Sequence, residues 1–186
     1  MAIMKHPVPA RPELGSRDGL AYALFLPEDE LTAGVVICHG AGSAKESHFD
    51  FARAARAIGM AALAYDARGH GRSEGALGPG AWDDALAMAD VLREASGAPE
   101  IALRGSSMGG FTAIGAASRA GGAIAAVAAI CPALEDGLLR GLRGGELEGF
   151  RADREAIEPW LESVSLRDAA ASLAPDTALL LMHARG

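Results

Sequence analysis

Two serines in this chain stand in the pattern Gly-x-Ser-x-Gly: Ser73 in Gly71-Arg72-Ser73-Glu74-Gly75, and Ser107 in Gly105-Ser106-Ser107-Met108-Gly109. A serine so placed can carry out acyl transfer: its hydroxyl attacks a carbonyl and holds the acyl group as an ester until water removes it. The spacing has a mechanical purpose. The serine sits on a sharp turn between a strand and a helix so that its hydroxyl stands clear. The flanking glycines are needed because side chains there would collide with neighbouring backbone. With 24 glycines in the chain the pattern alone discriminates little, so the flanking sequence decides.

Ser73 follows a loop, and Ala76 to Gly80 after it contains two glycines and a proline. No helix can begin there, and Ser73 reads as a surface turn. Ser107 follows the apolar run Ile101-Ala102-Leu103 and precedes Phe111, Ile114 and Ala117, which recur at helical spacing. Ser107 is therefore the candidate nucleophile. Acyl transfer also needs two backbone N–H groups aimed at the developing oxyanion. One is supplied by the residue after the nucleophile, here Met108, and the other by a loop after an earlier strand. His39-Gly40-Ala41-Gly42 follows the apolar run Gly34 to Cys38, and Ala41 is the candidate second donor. Gly40 to Lys45 also begins like a dinucleotide-binding turn, but Lys45 occupies the third glycine position. No Gly-Lys-Ser/Thr follows for a phosphate loop, so nucleotide binding is set aside.

The elements that must position these residues alternate along the chain. Strands are expected at Ala21 to Leu26, Gly34 to Cys38, Ala61 to Tyr65, Glu100 to Arg104, Ala123 to Cys131 and Ala178 to Met182. Helices are expected at Glu46 to Ile58, with Phe49, Ala52 and Ile58 on one side and Gly59 as its stop, at Ala81 to Ala95, and from the serine turn to about Arg119. Asp66 to Gly80 reads as a long glycine-rich loop. Asp136 to Leu161 is charged and broken by glycine, with one helix near Glu148 to Glu158 ended by Pro159. Ser165 and Asp168 form a possible capping box. Strands that are apolar throughout, alternating with helices, give a doubly wound, mostly parallel α/β sheet covered on both faces.

The length of 186 residues suggests one domain, and half the residues are apolar, enough for a packed core. A net charge of −7 argues against a nucleic-acid partner, which needs a basic face. Met1 to Gly15 carries several prolines and no apolar run long enough for a signal peptide, and no stretch approaches a membrane helix. Cys38 and Cys131 each end an apolar run and read as two buried thiols, neither a disulfide nor a metal site. A reducing cytoplasm is the expected compartment.

Taken in order, three segments resemble the α/β-hydrolase family. His39 to Gly42 is similar to its oxyanion loop, Tyr65 to Ser73 to the loop after its fourth strand, and Gly105 to Gly110 to its nucleophile elbow. The overall look is nearest to small esterases and to dienelactone-hydrolase-like or peptidase-like members. The resemblance implies that Cys38 and Cys131 lie one whole strand apart, that Asp66, Arg68 and His70 shape a loop, and that residues 134–161 form a small lid that sets substrate choice. It also implies a triad in the order serine, acid, histidine. The acid would follow Ala178 to Met182 just past Gly186, with the eighth strand, the histidine and the last helix beyond it. Glu135 or Asp136 as acid, and His183 as base, are lesser alternatives. The expectation is a serine hydrolase of carboxylic esters or related acyl compounds, acting on a small molecule with no metal or organic cofactor. The competing expectation is a non-catalytic binding member of the same fold.

Overall fold

Four runs with almost no polar residue set the centre of the molecule: β3 (Ala33–Cys38), β4 (Met60–Tyr65), β5 (Ile101–Ser106) and β6 (Ala126–Ile130). The computed structural model describes residues 10–145 and 149–184. In it these strands run parallel in the order β4-β3-β5-β6. β7 (Ala178–Met182) extends the sheet parallel to β6, and β2 (Leu20–Phe25) and β1 (Glu13–Arg17) close the other side antiparallel.

Alternate residues of β3 and β4 enter different cores. Val35, Ile37, Ala62 and Ala64 pack with Ala52 and Ala55 of α1 (Phe49–Ala57) on one face. Val36, Cys38, Leu63 and Tyr65 join the larger cluster under α2 (Ala81–Ser96) and α3 (Met108–Arg119) on the other. The mostly parallel α/β sheet with helices on both faces is thus the observed architecture, although on the α1 face Ala126, Ala128 and Ile130 of β6 are only half-buried. β7, by contrast, is exposed at every position.

Register places the site. Cys38 pairs with both Tyr65 and Gly105, and Ser106 pairs with Ile130. The loops after β3, β4 and β5 therefore leave the sheet at the same carboxyl edge. From β3 the chain winds one way to β4, and from β5 the other way to β6. The crevice between β3 and β5 is the switch point where open α/β sheets bind ligands.

Several sequence expectations need correction. β1 was not expected; it pairs with β2 through Asp18-Gly19, both at positive φ, the dihedrals of a two-residue hairpin turn. A short 3-10 turn (Lys45–His48) replaces the first part of the expected first helix, and Ile58 lies past its end at 71% exposure, not on the buried side. The stretch after β6 holds two helices, α4 (Glu135–Gly144) and α5 (Arg154–Ser163). Glu148, the expected start of a single helix there, lies outside the described residues. The glycines of α4 cost helix propensity, roughly 1 kcal/mol each relative to Ala, but Leu138 and Leu142 bury one side of the helix beside Ile157 and Leu161 of α5. Pro159 lies inside α5 instead of ending it. It sits mid-helix, and its missing N–H leaves the carbonyl of Glu155, an exposed residue that water can reach, without its ladder partner. Asp153 caps α5, and Ser165 caps α6 (Leu166–Ala171) by accepting from the Asp168 N–H, as its spacing with Asp168 anticipates. Of the two cysteines, Cys38 is buried while Cys131 is exposed at positive φ; both are free, and β5 separates their strands. Among the described residues no helix is long and apolar enough to cross a membrane.

Candidate active site

Ser107 occupies the step from β5 into α3 with φ +52° and ψ −119°, a conformation rare for a residue with a side chain. Such a conformation persists only where the surroundings fix it. Here the Ser107 N–H donates to Ile130 O at 3.0 Å, and its carbonyl accepts from the N–H groups of Gly110, Phe111 and Ala133 at 2.9–3.1 Å. The side chain is exposed and makes no capping bond to α3. Behind it the backbones close up. A Cβ on Gly40 would lie 3.4 Å from Ser106 O, and one on Gly109 would overlap the carbonyls of Cys38 and His39. The loop after β3 and the start of α3 therefore meet directly behind Ser107. Met108 is the first residue of α3, where helix N–H groups lack partners within the helix and the helix dipole favours negative charge.

The loop that contains Ala41 is tied to the loop after β4 at several points. The Ala67 N–H donates to His39 Nε2 at 3.0 Å, and the Gly42 N–H donates to His70 Nε2 at 3.2 Å. The Lys45 N–H donates to Asp66 Oδ1 at 2.8 Å while Lys45 Nζ donates to Asp66 Oδ2 at 2.6 Å, both side chains being buried. Arg72 N–H adds a third donor to Asp66 at 2.9 Å. Burial alone would raise the Asp66 pKa; the Arg72 N–H and the donors of Lys45 outweigh it and hold the carboxyl below its usual range.

Ser73 is not a surface turn. It is 5% exposed, donates to Asp66 O at 2.6 Å and accepts from the Ala21 N–H at 2.9 Å, fastening the same loop to β2. Sequence reasoning missed Lys45 and Ser73 because Asp66, the partner of Lys45, lies 21 residues away and Ala21, the donor to Ser73, lies 52 residues away. Asp66, Arg68 and His70 do shape the loop, Arg68 through both Asp84 and the Asp18 carbonyl.

The histidines near this edge are engaged away from Ser107. His39 Nδ1 lies 2.7 Å from Gly40 O, His48 Nδ1 faces Arg104 at 3.0 Å, and His70 Nδ1 lies 3.1 Å from Arg68 O. His183 is exposed just past β7. Of the two carboxylates after β6, Glu135 accepts from the Leu166 N–H at 3.1 Å at the start of α6, and Asp136 is exposed.

Burial pushes the His70 pKa down to about 4, partly opposed by its bond to the Arg68 carbonyl; burial also lowers His39 and His48. A folded pKa below the unfolded value means that the unfolded chain takes up protons first. Stability from His70 is full above pH 6.5 and is lost as pH falls toward 4, by about 3 kcal/mol in all. Urea midpoints measured between pH 7 and 4.5 should fall accordingly. A His70→Phe variant should lose a large part of that slope; a slope unchanged from wild type would rule His70 out as its source.

With this geometry in hand, comparison with known proteins decides the family. Residues 29–151 match the family model described as serine aminopeptidase, S33. The chain belongs to that family of α/β-hydrolases. The hydrolase also shares its fold with solved structures of low identity. Est1E from Butyrivibrio proteoclasticus is 20% identical, with a TM-score of 0.69 over 94% of this chain and 77% of Est1E. A monoglyceride lipase from Saccharomyces cerevisiae is 14% identical, with a TM-score of 0.63 over 98% of this chain and 90% of the lipase. A thermostable carboxyl esterase from Bacillus coagulans is 18% identical, with a TM-score of 0.60 over 75% of this chain; the hydrolase spans only 51% of that esterase. At these identities the likeness is one of fold. No curated protein matches the hydrolase in sequence.

Proposed function

We propose that this hydrolase cleaves carboxylic esters or related acyl compounds, with Ser107 as nucleophile. The observation that carries the reading is the exposed Ser107 hydroxyl at positive φ between β5 and α3. Ser107 Oγ bonds to the substrate carbonyl carbon and gives its proton to a base other than His39, His48 or His70, whose rings are held elsewhere. The carbonyl oxygen becomes an oxyanion held by the N–H groups of Met108 and Ala41. Collapse of this intermediate breaks the bond to the leaving alcohol, which takes a proton, and water then releases the acid from the serine ester.

Of the expected lid, residues 134–145 and 149–161 serve that role in this reading, and 146–148 lie outside the described residues. Leu138, Phe150, Ile157 and Trp160 face Met108 and Phe111 across a small apolar cavity of about 20 Å³. No metal or organic cofactor and no nucleic-acid partner enters the scheme. The compartment proposed with it is a reducing cytoplasm.

A fluorophosphonate probe tests the nucleophile. Mass spectrometry should find it on Ser107, and Ser107→Ala should abolish labelling. Ser73→Ala should keep it at temperatures where that variant stays folded, although losing the buried hydroxyl costs it about 1–3 kcal/mol. Labelling that persists in Ser107→Ala overturns the assignment, and a folded wild type that takes up no probe favours the non-catalytic member.

A further inference from the structure

Resting on the Ser107 reading, we infer that His70 is a positioning residue for the oxyanion loop: its Nε2 lone pair fixes the Gly42 amide and so aims the Ala41 N–H. Residues 39–44 lie in neither strand nor helix, so no ladder holds their peptide planes. Two planes matter, because the Ala41 N–H belongs to the Gly40–Ala41 peptide and the Gly42 N–H to the next. The first is held at its carbonyl end: Gly40 O receives His39 Nδ1–H at 2.7 Å and the Ser43 N–H at 3.2 Å. In a trans peptide the N–H points opposite to the carbonyl, so this grip turns the Ala41 N–H away from His39. Among the described residues the second plane is held by His70 alone, through the Gly42 N–H at 3.2 Å. Rotation about the Ala41 Cα, which joins the two planes, is thereby stopped from both sides. Among the described residues the Ala41 N–H itself has no acceptor.

His70 suits the task chemically. Nδ1 lies 3.1 Å from the Arg68 carbonyl, an acceptor only, which puts the ring proton on Nδ1 and leaves Nε2 as a lone pair facing Gly42. The ring is 1% exposed. It stacks on Phe150 at 4.2 Å between centroids and 15° between planes, and meets the edge of His39 at 4.9 Å. The slot thus needs a flat ring, and the Gly42 amide needs an acceptor on it. An aliphatic residue supplies neither, and phenylalanine supplies only the ring.

That difference supplies the test, made on the full chain with the same fluorophosphonate probe. His70→Phe keeps the ring and removes the acceptor. His70→Gln places an acceptor near the Nε2 position and gives up the stack. The rate of Ser107 phosphonylation at saturating probe should fall about tenfold or more in His70→Phe, with the probe's binding constant within about threefold of wild type. The saturating rate of His70→Gln should recover to within about threefold of wild type, even if it melts at a lower temperature. Unchanged reactivity in His70→Phe overturns the inference. Equal losses in both variants, following their melting temperatures, overturn it too, since they mark a packing role. A folded wild type that takes up no probe overturns the Ser107 reading, and this inference falls with it; labelled wild type beside fully reactive His70→Phe removes this inference alone.

Discussion

Asp66→Ala should lower stability by about 3–5 kcal/mol, read as a drop in the urea midpoint at pH 7. The reasoning starts from what Asp66 holds: the N–H groups of Lys45 and Arg72 and the ammonium of Lys45. Truncation orphans two backbone donors and leaves the Lys45 charge 3% exposed, with only Glu46 at 3.1 Å, itself half exposed, as a counter-charge. An uncompensated buried charge is among the most damaging single changes. Lys45→Met is the informative partner. It removes the cation but leaves Asp66 with both backbone donors, which by themselves favour the carboxylate. It should cost clearly less than Asp66→Ala. The Gly71 backbone packs so closely on the Asp66 carboxylate that the missing group leaves a hole beside the turn. Equal midpoints for the two variants would mean that the ion pair, and not the backbone donors, carries the stabilisation.

The contrast between what the sequence revealed and what it hid has mainly one physical cause. A local rule is visible; a partner far along the chain is not. Ser107 could be told from Ser73 because an elbow needs a strand before and a helix after, and both lie within a dozen residues. The four central strands were visible because a strand covered on both faces shows an unbroken apolar run. Ser73 passed for a surface turn because its burial comes from Ala21 and from the Asp66 carbonyl, which no spacing rule connects. α4 was hidden because three glycines lower its propensity, while the contact that outweighs them is made by α5. Pro159 misled because proline is costly in a helix interior, yet the carbonyl it leaves unpaired, that of Glu155, lies on an exposed residue. The β1 hairpin is a different case. Asp18-Gly19 is a strong turn signal, and only the weak strand character of Glu13 to Arg17, exposed at four of five positions, concealed it.

Gly109→Ala should destabilise the hydrolase by about 3 kcal/mol or more, and Gly137→Ala should stabilise it by about 0.5–1 kcal/mol, although both glycines lie in helices. At Gly109 the added carbon would stand 2.7 Å from the His39 carbonyl oxygen and still closer to the Cys38 carbonyl. These are backbone atoms at the end of a central strand, so relief requires α3 to move off β3. Such a shift would carry Met108 and Ser107 away from the loop of Ala41, and the probe reactivity of Ser107 should fall with the stability. Gly105 faces the same limit: a side chain there would meet the backbone of Gly109 and Gly110. At Gly137 the helix is exposed, and among the described residues nothing lies within 4 Å of the new carbon. There the only effect is on backbone entropy, which alanine improves. Thermal melts of the two variants beside wild type make the comparison, and it turns on sign. If Gly109→Ala melts at or above the wild-type temperature, β3 and α3 do not meet as closely as described, and the geometry behind the proposed oxyanion hole is wrong.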